Sequence, residues 1–209
     1  MSPNFQIILT ALQEIGLLLE SDVKLPSVAN VVAGETVRGS WWSHRNAQQI
    51  FGVLQEVVDH QDVLTTKLVS GKVTFVHRRL WSNVVTIGTA RESWQLKSLS
   101  PGAAAILKRV REDGSVTTNK IDWPDKMKPR KLGDAVRELE KRLLIHTAEF
   151  HSKSGAHAKE LETWKHWTDR NGFKPKALTL VAAKEKLEHI VANLNEQFSA
   201  TATLPWENP

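Results

Sequence analysis

The chain has 209 residues, of which 41% are hydrophobic and 24% are charged, and it contains no cysteine. This composition predicts a globular protein of one large or two small domains, and it excludes disulfides, thiolate zinc sites and a cysteine nucleophile. No apolar run reaches the roughly 18–20 residues that cross a bilayer, and the N-terminus does not resemble a signal peptide. We therefore expect a cytoplasmic protein without membrane contact, and no motif calls for a cofactor.

Positive charge is distributed unevenly along the chain, whose formal net charge is +5 and whose pI is about 9.5. Residues 1–60 carry three Lys/Arg against six Asp/Glu, residues 61–120 carry ten against four, and residues 121–209 carry fifteen against thirteen. A basic zone that begins at Lys67 is typical of a surface that binds a polyanion. The alternative is an ordinary solvated surface.

The first half of the chain is predicted to form helices around a β-hairpin. Apolar spacings of three and four indicate the helices, and Ser43 is the expected cap of the third. Two β-branched runs that flank Ser70-Gly71-Lys72 indicate the hairpin. The predicted elements are a helix over 4–20, a short helix ending near Val32, a helix over 44–58, a hairpin over 63–76 and a helix over 78–90.

The second half has the element order of a winged helix, which is helix, short helix, helix and then a β-hairpin called the wing. Pro101 at a first helical position and Gly114 just past the end delimit the first of these helices. The predicted elements are a helix over 100–112, a short helical element over 116–121, a helix over 130–143, strands over 144–151 and 156–162, and a long helix over 176–198.

We therefore predict an α+β, mostly helical fold: a winged helix-turn-helix, a second helix-plus-hairpin module and a long C-terminal helix. Leucines seven apart give that last helix an apolar seam, for which packing on the domain is favoured and homodimer formation through residues 176–198 is the alternative. The predicted domains are an N-terminal helical module with the hairpin (1–98), the winged helix (99–170), the C-terminal helix (171–198) and a loosely held tail (199–209).

Two groups of basic residues are candidates for contact with DNA. The third helix of a winged helix commonly enters the major groove, where Arg and Lys contact guanine and phosphates. The candidates on this helix, its approach and the wing are Lys128, Arg130, Lys131, Arg137, Lys141, Lys153 and His157. The candidates on the first hairpin and its exit are Lys67, Lys72, Arg78 and Arg79.

These basic residues and the aromatic ones allow structural interpretations as well. Arg78 or Arg79 pairs with Glu35 or Asp62 in the alternative interpretation of the first hairpin. Of the eight tryptophans, Trp42 and Trp81 are candidates for stacking on bases, whereas core packing is expected for most of the others.

Signatures of catalysis are weak. No HExxH, Walker A, GxSxG or GxGxxG pattern occurs. Glu35, His44 and His77 are the candidate acid–base residues, although histidines at irregular spacing are more often structural. His146 and His151 have opposite strand parity, so no metal site is predicted. The sequence therefore favours binding over catalysis.

Several stretches are similar to one protein family. They are Val136-Arg137-Glu138-Leu139-Glu140, Leu143-Leu144-Ile145-His146, Glu149-Phe150-His151-Ser152-Lys153-Ser154-Gly155-Ala156-His157, Leu161-Glu162-Thr163-Trp164, Gly39-Ser40-Trp41-Trp42-Ser43-His44 and Val76-His77-Arg78-Arg79-Leu80-Trp81. Over residues 35–167 the chain resembles bacterial winged-helix proteins related to the AlkZ-like crosslink-repair DNA glycosylases.

The resemblance implies DNA binding more strongly than base excision. The glycosylases place tandem winged helices around a DNA channel and use a Gln-x-Gln or Gln-x-Asp pair to orient water near the sugar. In this chain Gln48-Gln49 and Gln61-Asp62 are adjacent pairs, and neither catalytic pattern occurs. No glycosylase catalytic residue can therefore be transferred to this chain.

Three functional hypotheses follow. The leading one is a winged-helix DNA-binding protein, in DNA repair or transcriptional regulation, which contacts the phosphates of double-stranded DNA through the basic helix and hairpins. The second is a glycosylase-type repair enzyme with a site near Trp42, His44, His77 and Arg78. The third is a protein-interaction module.

Overall fold

The computed structural model describes the backbone of residues 2–119, 129–151 and 157–207, and their side chains except those of 129, 149–151 and 157. The mostly helical α+β class is confirmed, with two three-stranded antiparallel sheets in this part of the chain. The elements are α1 (Pro3–Ile15), β1 (Leu17–Leu19), α2 (Val28–Ala33), α3 (Ala47–Val58), β2 (Val63–Lys67), β3 (Val73–His77), α4 (Trp81–Thr89), α5 (Ser93–Leu96), α6 (Pro101–Asp113), β4 (Ser115–Thr117), α7 (Pro129–Lys141), β5 (His146–His151), β6 (His157–Glu162), α8 (Trp164–Arg170) and α9 (Leu180–Phe198).

The chain divides into two compact units. Unit 1 comprises residues 1–84 together with 178–208, and unit 2 comprises residues 85–177. Unit 1 is therefore discontinuous in sequence, since its last helix, α9, follows unit 2 along the chain. None of the helices described is both long enough and apolar enough to cross a membrane.

Unit 1 is built from helices α1, α2 and α3 and the sheet β1-β3-β2. Ser2 caps α1 by accepting a hydrogen bond from the amide of Phe5, and Pro3 occupies a first-turn position, where a missing N–H costs nothing. The predicted hairpin is present as β2 and β3, which meet at a turn where Ser70 has a φ of 51°. The core side chains are Phe5, Ile8, Leu12, Ile50, Val53, Leu54, Val57 and Phe75, among others.

The predicted extension of the first helix to residue 20 is wrong. The helix ends at Ile15 because Gly16 adopts a φ of 95°, and its amide donates to the carbonyl of Leu12. Residues Leu17–Leu19 then pair antiparallel with β3. Ser43 is likewise not the cap of α3, since it belongs to a 3-10 turn and Asn46 precedes the helix.

The C-terminal segment closes unit 1. On α9, Leu187 and Leu194 are buried, so these two seam leucines are used inside the chain. The tail that was expected to be loosely held is packed: Thr203 exchanges hydrogen bonds with Ser70, and Leu204 is only 1% exposed. The Trp206 ring N–H also donates to Glu188 Oε1 at 2.6 Å.

Unit 2 packs α6 and α7 against the sheet β4-β6-β5. Strands β5 and β6 form an antiparallel hairpin in which His146 faces Glu162 and His151 faces His157. Ser100 caps α6, as the sequence indicates, with Pro101 in its first turn. The core side chains include Ile106, Leu107, Val110, Val136, Leu139 and Leu161.

The short helical element predicted over 116–121 is wrong where the structure describes it. Residues Ser115–Thr117 form strand β4, which pairs with Glu160–Glu162 of β6. This pairing bridges more than forty residues of sequence, so the local pattern does not reveal it. Residues 120–121 lie outside the described range.

Candidate nucleic-acid interface

The positive charge of the chain belongs to unit 2. Its sequence has nineteen Lys/Arg against twelve Asp/Glu, a net charge of +7, whereas unit 1 has nine against eleven, a net charge of −2. Polyanions are attracted by the local field of a surface rather than by the total charge of a chain. Unit 2 is therefore the part of the molecule that electrostatics favours for contact with nucleic acid.

Helix α7 separates an apolar side from a cationic side. Ala135, Val136 and Leu139 are buried in the core of unit 2. Arg130 and Arg137 are seven residues apart, which is about two helical turns, and therefore project from the same side. Lys141 follows Arg137 by one turn and joins them. We call these three exposed residues the α7 cationic face.

Two of the three residues of the α7 cationic face form no ion pair with the part of the chain that the structure describes. Arg137 donates to Asp134 Oδ1 at 2.7 Å and to the carbonyl of Gly133 at 3.3 Å. Within the described residues, Arg130, Lys131 and Lys141 form no ion pair, and all three are exposed. Such side chains can reach an external phosphate without first breaking an ion pair to any of the described residues.

Arg142, which follows α7, has a structural role, and three of the basic candidates of unit 2 lie wholly or partly outside the described residues. The Arg142 guanidinium donates to the carbonyls of Trp94, Gln95 and Lys97, so it fastens α5 and the residue after it to the end of α7. Lys128 and Lys153 lie outside the described residues, and of His157 only the backbone position is described.

Glu140 links α7 to the β5–β6 hairpin. Its Oε1 accepts a hydrogen bond from the Thr147 hydroxyl of β5 and another from Lys159 Nζ of β6 at 3.3 Å. Glu140 is buried, and buried carboxylates depend on such charge-assisted partners. The helix and the hairpin are thereby fixed relative to each other.

A second buried carboxylate lies at the base of the same hairpin. Glu162, which is 0% exposed, accepts hydrogen bonds from His146 Nδ1 at 3.0 Å and from Arg170 Nη2 at 2.5 Å. Burial acts to raise the pKa of Glu162, but these hydrogen bonds outweigh it and hold the pKa below its ordinary value. The His146 ring also lies against Trp164 and Trp167. This cluster is a structural anchor for the hairpin.

The cations of the first hairpin already have internal partners. Lys72 Nζ lies 2.6 Å from Asp22 Oδ2, and Arg78 Nη1 lies 3.3 Å from Asp62 Oδ1. The pairing of Arg78 with Asp62 that the sequence left as an alternative is thus confirmed. Lys67 lies half-buried at the end of β2, opposite Val73.

Arg79 and Asp22 show how these pairs serve the fold. The Arg79 guanidinium donates to the carbonyls of Gln13 and Glu14, which are end groups that α1 leaves unsatisfied. Burial acts to raise the pKa of Asp22, but hydrogen bonds from Lys72 and from the Leu25 and Lys24 amides lower it overall.

The candidate catalytic residues form two separate groups in unit 1. Glu35 Oε1 accepts from His44 Nε2 at 3.2 Å and from Arg45 Nη2 at 2.9 Å. His77 accepts from the Arg79 amide, and burial together with the Arg79 charge lowers the pKa of His77. Within the described residues, no hydrogen bond, ion pair or ring contact joins His44 to His77.

The two stacking candidates differ in exposure. Trp81 is 3% exposed, its ring N–H donates to the Val76 carbonyl, and Arg78 lies over its ring at 5.3 Å. It is a core side chain and does not offer the accessible ring that was expected. Trp42 is 63% exposed and stacks on Trp41.

A metal site and a small-molecule cavity are two further features that a catalytic site could have. The described residues contain no group of three or more His, Asp or Glu placed to hold a metal ion. A cavity of about 10 Å³ lies among apolar side chains that include Leu17, Leu25 and Leu194. This cavity is far smaller than the roughly 300 Å³ at which small-molecule sites begin.

The fold and the charged surface define a mostly helical α+β protein with a cationic second unit. A family model described as AlkZ related matches residues 3–203, so the chain belongs to the AlkZ-related family. The relation to AlkZ-like proteins that residues 35–167 suggested is thereby confirmed, and it extends over nearly the whole chain. No curated protein and no solved structure matches the chain in the corresponding comparisons.

Proposed function

We propose that unit 2 is a winged helix and that this protein binds double-stranded DNA with it, through phosphate contacts of the α7 cationic face. The observation that carries the proposal is the exposed set Arg130, Arg137 and Lys141 on a unit whose net charge is +7. Membership of a family related to DNA-repair glycosylases supports a role in DNA repair, with transcriptional regulation as the other use of such a protein.

The order of elements in unit 2 supports the winged-helix assignment. Helix α6, strand β4, helix α7 and the β5–β6 hairpin follow one another, and the sheet order is β4-β6-β5. Residues 120–128, between β4 and α7, lie outside the described range. In this architecture the helix in the position of α7 is the one that contacts the duplex.

The pairing of the hairpin cations supports α7 over the first hairpin as the main contact. Lys72 and Arg78 would have to leave Asp22 and Asp62 before they could neutralise a phosphate, and Arg79 would have to leave the end of α1. Arg130 and Lys141 have no such competing partner among the described residues. The hydrogen bonds of Glu140 also support α7 as the main contact, because they hold the β5–β6 hairpin against this helix.

The salt dependence of DNA binding tests this proposal. Each neutralised phosphate contributes about −0.9 to the slope of log affinity against log salt, because a counterion is released. We expect Lys141→Ala and Arg130→Ala each to reduce the magnitude of this slope by about 0.9 and to weaken binding to every sequence similarly. Fluorescence anisotropy with a labelled blunt duplex at several salt concentrations measures both quantities.

Lys72→Ala is the matched control, since Lys72 is likewise an exposed lysine but has an internal partner. Its slope should equal that of the wild type. The proposal fails if the wild-type protein does not bind the duplex at low salt, or if Lys72→Ala changes the slope as much as Lys141→Ala does.

Base excision is not favoured by the geometry. Gln-x-Gln and Gln-x-Asp are absent from the sequence, and His44 and His77 belong to separate hydrogen-bonded groups. DNA binding is therefore the function that we propose, and a glycosylase-type repair enzyme is the alternative.

A further inference from the structure

Trp42 forms an aromatic platform at the surface of unit 1. Its ring lies 4.0 Å from the Trp41 ring at an interplanar angle of 25°, and Phe51 lies 5.5 Å away. Trp41 is buried, and its ring N–H donates to Glu20 Oε1 at 2.7 Å. The lower ring of the stack is thus fixed, while Trp42, at 63% exposure, presents a planar surface to solvent.

The loop that carries Trp42 is held in place at several points. Glu35 binds both His44 and Arg45, which closes the segment between residues 35 and 45 on itself. Val37 is buried, and its amide donates to Asn30 Oδ1 at 2.9 Å. Binding of a ligand to Trp42 therefore costs little conformational entropy, because the loop is already ordered.

Trp42 is more exposed to solvent than the other tryptophans that the structure describes. Among the tryptophans that the structure describes, only Trp42 is exposed; the others are buried or half-buried. Water contact with so large an apolar ring is unfavourable. The exposed ring is not needed to complete the core of unit 1, because Trp41 already occupies the core position.

Cationic and polar side chains border the platform in sequence. Arg38 and Arg45 are both exposed, Arg38 has no ion pair among the described residues, and Arg45 uses one guanidinium nitrogen for Glu35. The next exposed residues are the polar pair Gln48 and Gln49. Exposed aromatic rings and basic side chains together bind single-stranded nucleic acid, in which the rings stack on bases and the cations attract phosphate.

We infer that the Trp42 platform binds an unpaired nucleobase of DNA, stacked on the outer face of the Trp42 ring. The inference that the ligand is DNA rests on the proposed function. Unpaired DNA is nevertheless a second class of ligand, because a base inside a duplex has both faces covered by its neighbours. A single-stranded or unpaired stretch exposes the face that Trp42 requires. The flanking arginines favour this occupant over a protein with an apolar patch.

Binding of single-stranded oligo(dT) by the full-length chain tests the inference. We expect Trp42→Ala to weaken oligo(dT) binding by about 5- to 150-fold, the range for loss of one stacked base, and to leave binding of a blunt duplex unchanged. Trp42→Phe retains an aromatic ring and should recover most of the affinity. Val58→Ala, which alters another exposed apolar side chain of unit 1, is the matched control and should bind like the wild type.

Tryptophan fluorescence gives a second readout that does not depend on the alanine variant. Oligo(dT) should quench the wild-type emission, and the quenching should be lost in Trp42→Phe, in which binding itself persists. Unchanged oligo(dT) affinity in Trp42→Ala, or an equal loss for oligo(dT) and duplex, overturns the inference. Self-association that Trp42→Ala abolishes without affecting oligo(dT) binding also overturns it and identifies a second copy as the occupant.

The two proposals fail in different ways. A wild-type protein that binds duplex but not oligo(dT) refutes the platform and leaves the α7 proposal standing. Oligo(dT) binding that depends on Trp42, in a protein that does not bind duplex, supports the platform and refutes the α7 proposal.

Discussion

Replacement of Gly88 by alanine should strongly destabilise unit 2. Gly88 lies in α4, and a Cβ atom placed there would be 2.2 Å from Nε1 and 2.5 Å from Cδ1 of the Trp164 ring. Trp164 is buried, and its ring N–H donates to the Leu143 carbonyl at 2.7 Å. The ring must move to admit the methyl group, so this buried hydrogen bond is weakened as well.

The expected loss combines two effects. Overpacking of a close-packed core costs about 1–3 kcal/mol, and a buried donor that loses its acceptor costs about 1–3 kcal/mol more. The better helix propensity of alanine returns at most about 1 kcal/mol. We expect the free energy of unfolding to fall by about 1–5 kcal/mol, which in a unit of this size corresponds to a Tm lower by at least about 4 °C.

Urea and thermal denaturation, followed by tryptophan emission and circular dichroism, measure this change. Gly133→Ala is the matched control, because Gly133 is also helical, lies in the same unit and has no neighbouring atom within 4 Å of the position that the new methyl group would take. Gly133→Ala should stabilise the unit by about 0.5–1 kcal/mol. Equal stability of the two variants would refute the close-packing argument.

Two further predictions concern buried side chains. Because the pKa of Glu162 is depressed in the folded protein, its contribution to stability is complete above the ordinary pKa of 4.5 and is lost as the pH falls through the lower folded pKa. Thermal denaturation between acidic and neutral pH should show this loss in the wild type but not in Glu162→Gln. At pH 7 the Glu162→Gln variant should be less stable than the wild type by about 3–5 kcal/mol. Leu204→Ala should lower the stability of unit 1 by about 2–4 kcal/mol, because Leu204 is fully buried. Urea denaturation measures this change, and a loss below about 0.5 kcal/mol would contradict the packing of the tail.

Elements with a long local pattern could be predicted from the sequence. The apolar stripe of α3 and the hairpin of β2 and β3 appear where their spacing indicates, and α6 lies between its predicted limits, Ser100 and Gly114. The signals are local in each case, since a side chain oxygen caps an amide three residues away or a turn joins two adjacent strands. The α+β class and the α7 stripe follow from the same kind of evidence.

Short strands that pair over long distances could not be predicted. Strands β1 and β4 have only three residues each, and their partners lie in β3 and β6. A run such as Leu17–Leu19 fits a helix or a buried strand equally well, so the tertiary partner decides. The packing of the C-terminal tail could not be predicted for the same reason: Thr203 and its partner Ser70 are 133 residues apart.

The candidate site shows a similar limit. The sequence locates the basic residues, but not which of them have acidic partners: Asp22 is 50 residues from Lys72 and Asp62 is 16 residues from Arg78. Nor do adjacent letters reveal that Trp41 is buried while Trp42 is exposed. Exposure of α7 was predictable, because a helical stripe defines its opposite face.

The discontinuity of unit 1 determines when its parts become available during synthesis. Residues 85–177 leave the ribosome before α9, so unit 2 has its complete sequence while unit 1 still lacks Ala183, Leu187 and the tail. Domains generally fold as units as they are synthesised, and incomplete cores expose apolar surface that favours aggregation. The N-terminal residues are therefore translated first but complete their core last, and nascent chains that stop before residue 178 leave the apolar surfaces that α9 covers exposed to solvent.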